Sequence, residues 1–251
     1  MSTTVRVNQD HEQISTIIIP PNQPQSNITR SSSSSSLKTA YNFGIKNTYS
    51  PSLPPTTTLK LARRGTNGTI LLVALHRPSV KNAFNDAQYS DLTLLLQLAA
   101  VDPTVSAIVL TGTGDYFTSG ADLRDSSMLD PDTESSMLER PAGVFMMQLL
   151  GFPKLICAAI NGPAVGIGVT LLLHCDVCHC TPKATFWTPF TRIALVPEFC
   201  SSETMVETMG LSAANEMLIF GKKIGSTRAV EVGLCSEVVV EDGNGGVGGD
   251  P

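Results

Sequence analysis

Three short apolar runs punctuate the middle of the chain: Thr69 to Leu75 (TILLVAL), Ala107 to Thr111 (AIVLT) and Leu155 to Ile160 (LICAAI). Each is rich in aliphatic residues and stops at a turn, namely Arg77-Pro78, Gly112-Thr113-Gly114-Asp115 and Asn161-Gly162-Pro163. Runs of this length bounded by Gly and Pro read as buried strands. Between the first two, Leu92, Leu95, Leu96 and Leu98 recur at helical spacing, with Asn85 or Asp86 placed to cap the segment and Asp102-Pro103 to stop it after Ala100. Further helices are expected through Phe145 to Leu150 and from Val169. Strands alternating with helices predict an α/β fold with parallel strands, in which ligands lie beyond the carboxyl ends of the strands.

The pattern fails at both ends. Residues 1–57 are dominated by Ser, Thr, Asn, Gln and Pro, including the run Ser31 to Ser36, and hold only two acids, Asp10 and Glu12. Such a stretch buries too little apolar surface to fold, so a disordered or targeting extension is expected there. Residues 241–251 (EDGNGGVGGDP) read as a glycine-rich disordered tail. The folded domain is therefore expected over residues 58–240.

Composition narrows the function classes. A chain of 251 residues with 42% hydrophobic content can bury a good core, and a net charge of −5 offers no basic surface for nucleic acid. No apolar run approaches the roughly 18–20 residues needed to span a bilayer. The six cysteines are too few and too irregular for a disulfide scaffold. His174-Cys175-Asp176-Val177-Cys178-His179-Cys180 has metal-like residue types, but no second Cys/His pair stands at a suitable distance, and alternate strand residues face opposite sides. These are read as buried or half-buried strand cysteines, with no metal.

Two glycine-containing loops follow the second and third strands: Tyr116 to Leu123 (YFTSGADL) and Asn161 to Gly168 (NGPAVGIG). Glycines there permit tight turns and close backbone approach, and the helix start after the second loop offers unpaired N–H groups at a positive dipole end, suited to an oxyanion. A dinucleotide site is a weaker reading, since Gly166-Ile167-Gly168 lacks the third glycine of that fingerprint.

Taken together, His76-Arg77-Pro78…Asn82-Ala83, Ser119-Gly120-Ala121-Asp122-Leu123 and Asn161 to Gly168 resemble the crotonase (enoyl-CoA hydratase/isomerase) superfamily, from about Thr58 to Val240. Ala184-Thr185-Phe186…Thr188-Pro189-Phe190…Pro197-Glu198…Cys200-Ser201-Ser202, continued by Glu216 to Lys223, is similar to the peroxisomal-type Δ3,Δ2-enoyl-CoA isomerases. The resemblance implies a crotonase-like spiral core of ββα units. It also implies a carboxyl-terminal helical region, truncated here, that caps the acyl site and builds a homotrimer. Phe199 stands where many relatives have glycine.

The resemblance further implies an acyl-CoA substrate and no separate cofactor, coenzyme A being part of the substrate. The backbone N–H groups of Ala121 and Ile167 would form the oxyanion hole, and Ser119, Gly120, Ala121, Asp122, Leu123 and Gly166 would contact substrate or CoA, with Arg77 or Lys81 near its phosphates. Glu198 would be the single acid/base group, its pKa raised by Leu195, Val196, Pro197 and Phe199. Thr170 and Phe190 match the positions of the two hydratase glutamates, so hydration should be weak. The implied activity is isomerisation of 3-enoyl-CoA to trans-2-enoyl-CoA in unsaturated fatty acid β-oxidation, in the peroxisome or mitochondrion. The alternatives are a hydratase, an acyl-CoA thioester hydrolase, or a non-catalytic acyl-CoA-binding module.

Overall fold

The computed structural model of the chain describes residues 56–124 and 138–240, together with a short pairing of Thr3–Thr4 against Ile18–Ile19. The remainder of the expected amino-terminal extension and the expected glycine-rich tail lie outside the described residues.

The chain enters the fold through β1 (Leu59–Arg64), which pairs antiparallel with β2 (Ile70–Leu75). β2 is followed by helix α1 (Asp86–Val101) and then β3 (Ala107–Gly112), which returns parallel to β2. Helix α2 (Pro141–Leu150) leads into β4 (Leu155–Ile160), parallel to β3. β6 (Val177–Cys180) and β9 (Glu237–Val238) extend the same parallel array. The sheet order is thus β9-β6-β4-β3-β2-β1, with all but β1 pointing the same way. A parallel sheet covered by its crossover helices needs strands that are apolar on both faces, and every residue of β2 and β3 is buried.

Pleating divides those strands between two clusters. Leu71, Val73, Leu75, Ile108, Leu110, Ile156, Ala158 and Ile160 join the main core, whereas Ile70, Leu72, Val109, Cys157 and Ala159 form a smaller cluster of their own. The main core is closed by the helical stripe Tyr89, Leu92, Leu95, Leu96 and Ala99 of α1 against Phe145 and Leu149 of α2. Each fully buried Leu or Phe contributes about 1.5–3 kcal/mol. Asn85 is the cap of α1, its side chain accepting the Gln88 N–H at 3.1 Å. The helix runs one residue past Ala100, to Val101.

A second, three-stranded sheet forms beside the first from β5 (Ala164–Val165), β7 (Thr185–Trp187) and β8 (Ile224–Gly225), in the order β8-β7-β5. The helix expected from Val169 begins two residues earlier: α3 spans Ile167–Thr170 and then tightens into a 3-10 turn over Leu171–His174. After β7 come α4 (Ser201–Met209), α5 (Leu211–Leu218) and α6 (Ser226–Glu231).

Candidate active site

The loops after β3 and β4 are stitched together at the carboxyl ends of those strands. Phe117 and Thr118 both donate their N–H to the Pro163 carbonyl at 3.1 and 3.2 Å, and Val165 N–H donates to the Thr118 carbonyl at 3.1 Å. The closeness accounts for two glycines. A Cβ on Gly162 would fall 2.0 Å from the Asp115 carbonyl oxygen, and one on Gly168 would fall 2.3 Å from Thr118 Cγ2.

Two buried asparagines organise the bends. Asn82, fully buried, donates through Nδ2 to the carbonyls of Thr113 and Tyr116 at 2.9 and 2.8 Å and accepts the Arg77 N–H at 2.9 Å. Asn161 accepts the Gly112 N–H at 3.0 Å and donates to the Gly114 carbonyl at 2.8 Å. The segments His76 to Ala83 and Asn161 to Gly168 therefore act on one loop from two sides.

Phe84 pairs with the chain on either side of Ala121: its N–H donates to the Gly120 carbonyl at 2.8 Å, and its carbonyl accepts the Asp122 N–H at 2.7 Å. The Ala121 N–H itself is left with no acceptor among the described residues. Across from it, Gly166 has φ 55° and ψ −118°, a conformation closed to residues with a Cβ. That bend sends the Gly166 N–H to the Trp187 carbonyl at 2.9 Å and leaves the Ile167 N–H, first in α3, also without an acceptor among the described residues. The loops approach each other here, a Cβ on Gly120 falling 3.0 Å from the Val165 carbonyl oxygen. The result is a pair of unspent donors on neighbouring loops.

Glu198 lies just before α4, its carbonyl accepting the Ser201 N–H at 3.0 Å. Its side chain is half-buried, and desolvation raises its pKa from 4.5 to about 7. The apolar neighbours expected to desolvate it do so only in part. Leu195 and Val196 are exposed, the latter at 79%, because their loop faces outward. Of those neighbours only Phe199 is buried.

Phe199 and Cys200 both take left-handed backbone angles, φ 55° and 56°. Left-handed geometry suits glycine and costs other residues roughly 1–2 kcal/mol. Phe199 is held in it by His174, whose ring lies 4.0 Å from the phenyl ring and whose Nε2–H donates to the Phe199 carbonyl at 2.9 Å. Desolvation lowers the His174 pKa, against the opposing effect of this hydrogen bond, so the ring is neutral near pH 7.

Thr170 and Phe190, the residues expected at the positions of the two hydratase glutamates, carry no carboxylate; Thr170 is fully buried and Phe190 nearly so. Arg77 is committed inside the fold, donating to the Ala83 carbonyl and pairing with Asp122 at 3.4 Å. Burial pushes the Asp122 pKa up, but hydrogen bonds from Arg124 and the charges of Arg124 and Arg77 outweigh it and hold the carboxyl low. Lys81 is exposed, with its ammonium 4.9 Å from the centre of the Tyr116 ring.

The cysteine and histidine cluster is dispersed. Cys175 and Cys178 lie against the carbonyls of Leu171 and Leu172, Cys180 against that of Glu237, and His174 turns to Phe199. No group of three or more His, Cys, Asp or Glu among the described residues is arranged to hold a metal ion. A cleft of about 640 Å³ opens at the amino ends of β3, β4 and β6, away from the two loops. Its polar lining is spent internally: Lys154 donates to the Ala99 and Asp102 carbonyls, and Asp176 accepts the Ile156 N–H.

The leucine spacing that predicts α1 does not single out Tyr89. The structure buries it completely, and its hydroxyl has no hydrogen-bond partner among the described residues; burial first, and the charge of Glu198 second, raise its pKa.

Residues 65–243 match the family model described as enoyl-CoA hydratase/isomerase. The chain is 41% identical over 176 residues to Enoyl-CoA delta isomerase 2 of Rattus norvegicus, covering 69% of this chain and 45% of that protein. It is 33% identical over 174 residues to 2,3-dehydroadipyl-CoA hydratase of Escherichia coli, covering 69% and 67%. Among solved structures, OdaA of Pseudomonas aeruginosa superposes with a TM-score of 0.68 at 35% identity, over 75% of this chain and 73% of that one. The chain spans about half the length of the isomerase relatives it matches.

Proposed function

The chain belongs to the enoyl-CoA hydratase/isomerase family, and from that premise we propose that it is a Δ3,Δ2-enoyl-CoA isomerase, moving the double bond of a cis or trans 3-enoyl-CoA into conjugation with the thioester. What supports this reading is that Glu198 is the one carboxylate of raised pKa among the described residues, while buried Thr170 and Phe190, which by resemblance match the positions of the two hydratase glutamates, carry no carboxylate.

The chemistry follows from the charges that must be handled. Removing a proton from C2 of a 3-enoyl thioester leaves an electron pair that spreads from C4 to the thioester oxygen. The unspent N–H groups of Ala121 and Ile167 are suited to stabilise that oxygen, and losing one such donor typically costs about 2.7–4 kcal/mol of barrier. Glu198 takes the C2 proton and returns it to C4; the electron pair left at C2 forms the new C2=C3 bond. One carboxylate near pKa 7 serves both steps, because it is a competent base and, once protonated, a competent acid at the same pH. Adding water instead requires a second group to position and activate it, which neither Thr170 nor Phe190 supplies.

The acyl-CoA is proposed to lie along Ser119 to Leu123, with Lys81, rather than the internally committed Arg77, facing its phosphates. Coenzyme A arrives as part of the substrate. Incubation of the purified protein with 3-hexenoyl-CoA, beside a 2-enoyl-CoA control, tests the reading. Appearance of the conjugated thioester supports it; hydration of the control without double-bond migration supports the hydratase alternative, and release of free CoA the hydrolase.

A further inference from the structure

A continuous line of contacts runs from the cleft at the amino ends of β3, β4 and β6 to Glu198. His174 lines that cleft of about 640 Å³, together with Leu149, Leu150, Phe152 and Ile156. Its ring also lies 4.0 Å from that of Phe199, and its Nε2–H donates to the Phe199 carbonyl at 2.9 Å. Phe199 directly follows Glu198 and is buried in the main core. Helix α4, which begins two residues later, packs against the turn that carries His174. Cleft, imidazole, phenyl ring and the residue bearing the carboxylate thus stand in that order.

The same two rings are reached from the oxyanion donors. From Ile167, whose N–H is one of them, the chain runs without a break through α3 and the 3-10 turn to His174, a rise of about 12 Å. This segment leads from the carboxyl ends of the strands to the cleft at their amino ends. With the thioester oxygen at the Ile167 N–H and carbons C2 to C4 at Glu198, whatever follows C4 meets the groups beyond Glu198. The cleft would suit an aliphatic tail, because its walls are mostly apolar and its Lys154 and Asp176 are bound to backbone. Phe199 and His174 stand between, and rings in van der Waals contact leave no passage for a methylene chain. Phe199 holds its ring there at φ 55°, where glycine would fit the backbone better and leave the way open.

We infer, resting on the acyl-CoA reading of this site, that Phe199 is a specificity-determining residue: its ring, backed by His174, is the floor of the acyl site and confines the protein to short acyl chains. The cleft behind the two rings is a tail compartment that this floor closes off. A six-carbon chain ends two carbons past C4 and fits above the floor. A twelve-carbon chain does not.

Titration calorimetry with hexanoyl-CoA and dodecanoyl-CoA reads the floor without turnover. The unchanged protein should bind dodecanoyl-CoA about tenfold or more weakly than hexanoyl-CoA. Phe199→Gly joins the site to the cleft and suits the left-handed backbone, so it should shift that ratio by about tenfold or more toward the longer chain. His174→Ala thins the floor from the cleft side and leaves the residue next to Glu198 in place; it should shift the ratio the same way by a smaller factor. Relative kcat/KM for 3-dodecenoyl-CoA and 3-hexenoyl-CoA should follow the binding ratios. Equal or tighter binding of the longer chain by the unchanged protein overturns the inference, whether or not either variant folds. So does a ratio that the folded variants leave unmoved. Absence of double-bond migration overturns the isomerase reading alone, and the binding ratios still decide the role of Phe199; failure to bind either acyl-CoA overturns both.

Discussion

The Nε2–H of His174 donates to the carbonyl of Phe199 at 2.9 Å, and the two rings lie 4.0 Å apart. The contact joins the end of the turn that continues from α3 to the residue next to Glu198. It is a local replacement for the freedom a glycine would have at position 199, where the backbone is left-handed at φ 55°. The chain combines a bulky residue at this position with a ring that holds it.

The first prediction concerns that clamp. His174→Ala removes one hydrogen bond and one ring contact, and should destabilise the protein by about 1–2 kcal/mol. Because Phe199 is adjacent to Glu198, kcat should also fall, by roughly tenfold, with a smaller change in KM. Thermal melts and steady-state kinetics on the one variant check both outcomes. A melt shift with unchanged kcat would restrict His174 to a role in stability.

A second prediction separates shape from conformation at Gly166. A Cβ there meets no atom within 4 Å, so alanine fits in space, but φ 55° with ψ −118° is closed to it. Gly166→Ala should therefore turn the Ile167 N–H away and cut kcat by about 10²–10³-fold, the usual loss for one oxyanion donor. Normal turnover in a folded Gly166→Ala protein would remove Ile167 from the proposed oxyanion hole.

The raised pKa of Glu198 has a consequence for stability. A carboxyl with a folded pKa of about 7 and an unfolded value near 4.5 favours the folded state most when protonated. That contribution is complete below pH 4.5 and is lost as pH rises to about 7. Glu198→Gln removes the charge at every pH, so it should raise the melting temperature by a few degrees above pH 7 and leave it nearly unchanged near pH 4.5. Differential scanning calorimetry at the two pH values gives the comparison; equal shifts at both would contradict desolvation as the cause.

Much of this arrangement is legible in the sequence, for identifiable reasons. β2, β3 and β4 are continuous apolar runs, and α1 carries leucines at a clean helical period with Asn85 at its cap. The site loops announce themselves because close approach demands glycine at Gly162 and Gly168. β1 is less legible, since Lys60, Arg63 and Arg64 interrupt its apolar pattern on a sheet edge. The second sheet is made of strands of two or three residues, too short for any periodicity. The surroundings of Glu198 are not legible along the chain: Leu195 and Val196, its apolar neighbours, face outward, while His174 reaches the adjacent Phe199 from another element.

The pH dependence of double-bond migration tests the central claim most directly. Formation of the conjugated thioester from 3-hexenoyl-CoA should follow one acidic limb in kcat/KM with an apparent pKa of about 7, falling about tenfold per unit below it, and Glu198→Gln should lose about 10²–10⁴-fold above that pKa and show no such limb. A Glu198→Gln variant that still migrates the double bond, with the same limb, would contradict Glu198 as the proton carrier.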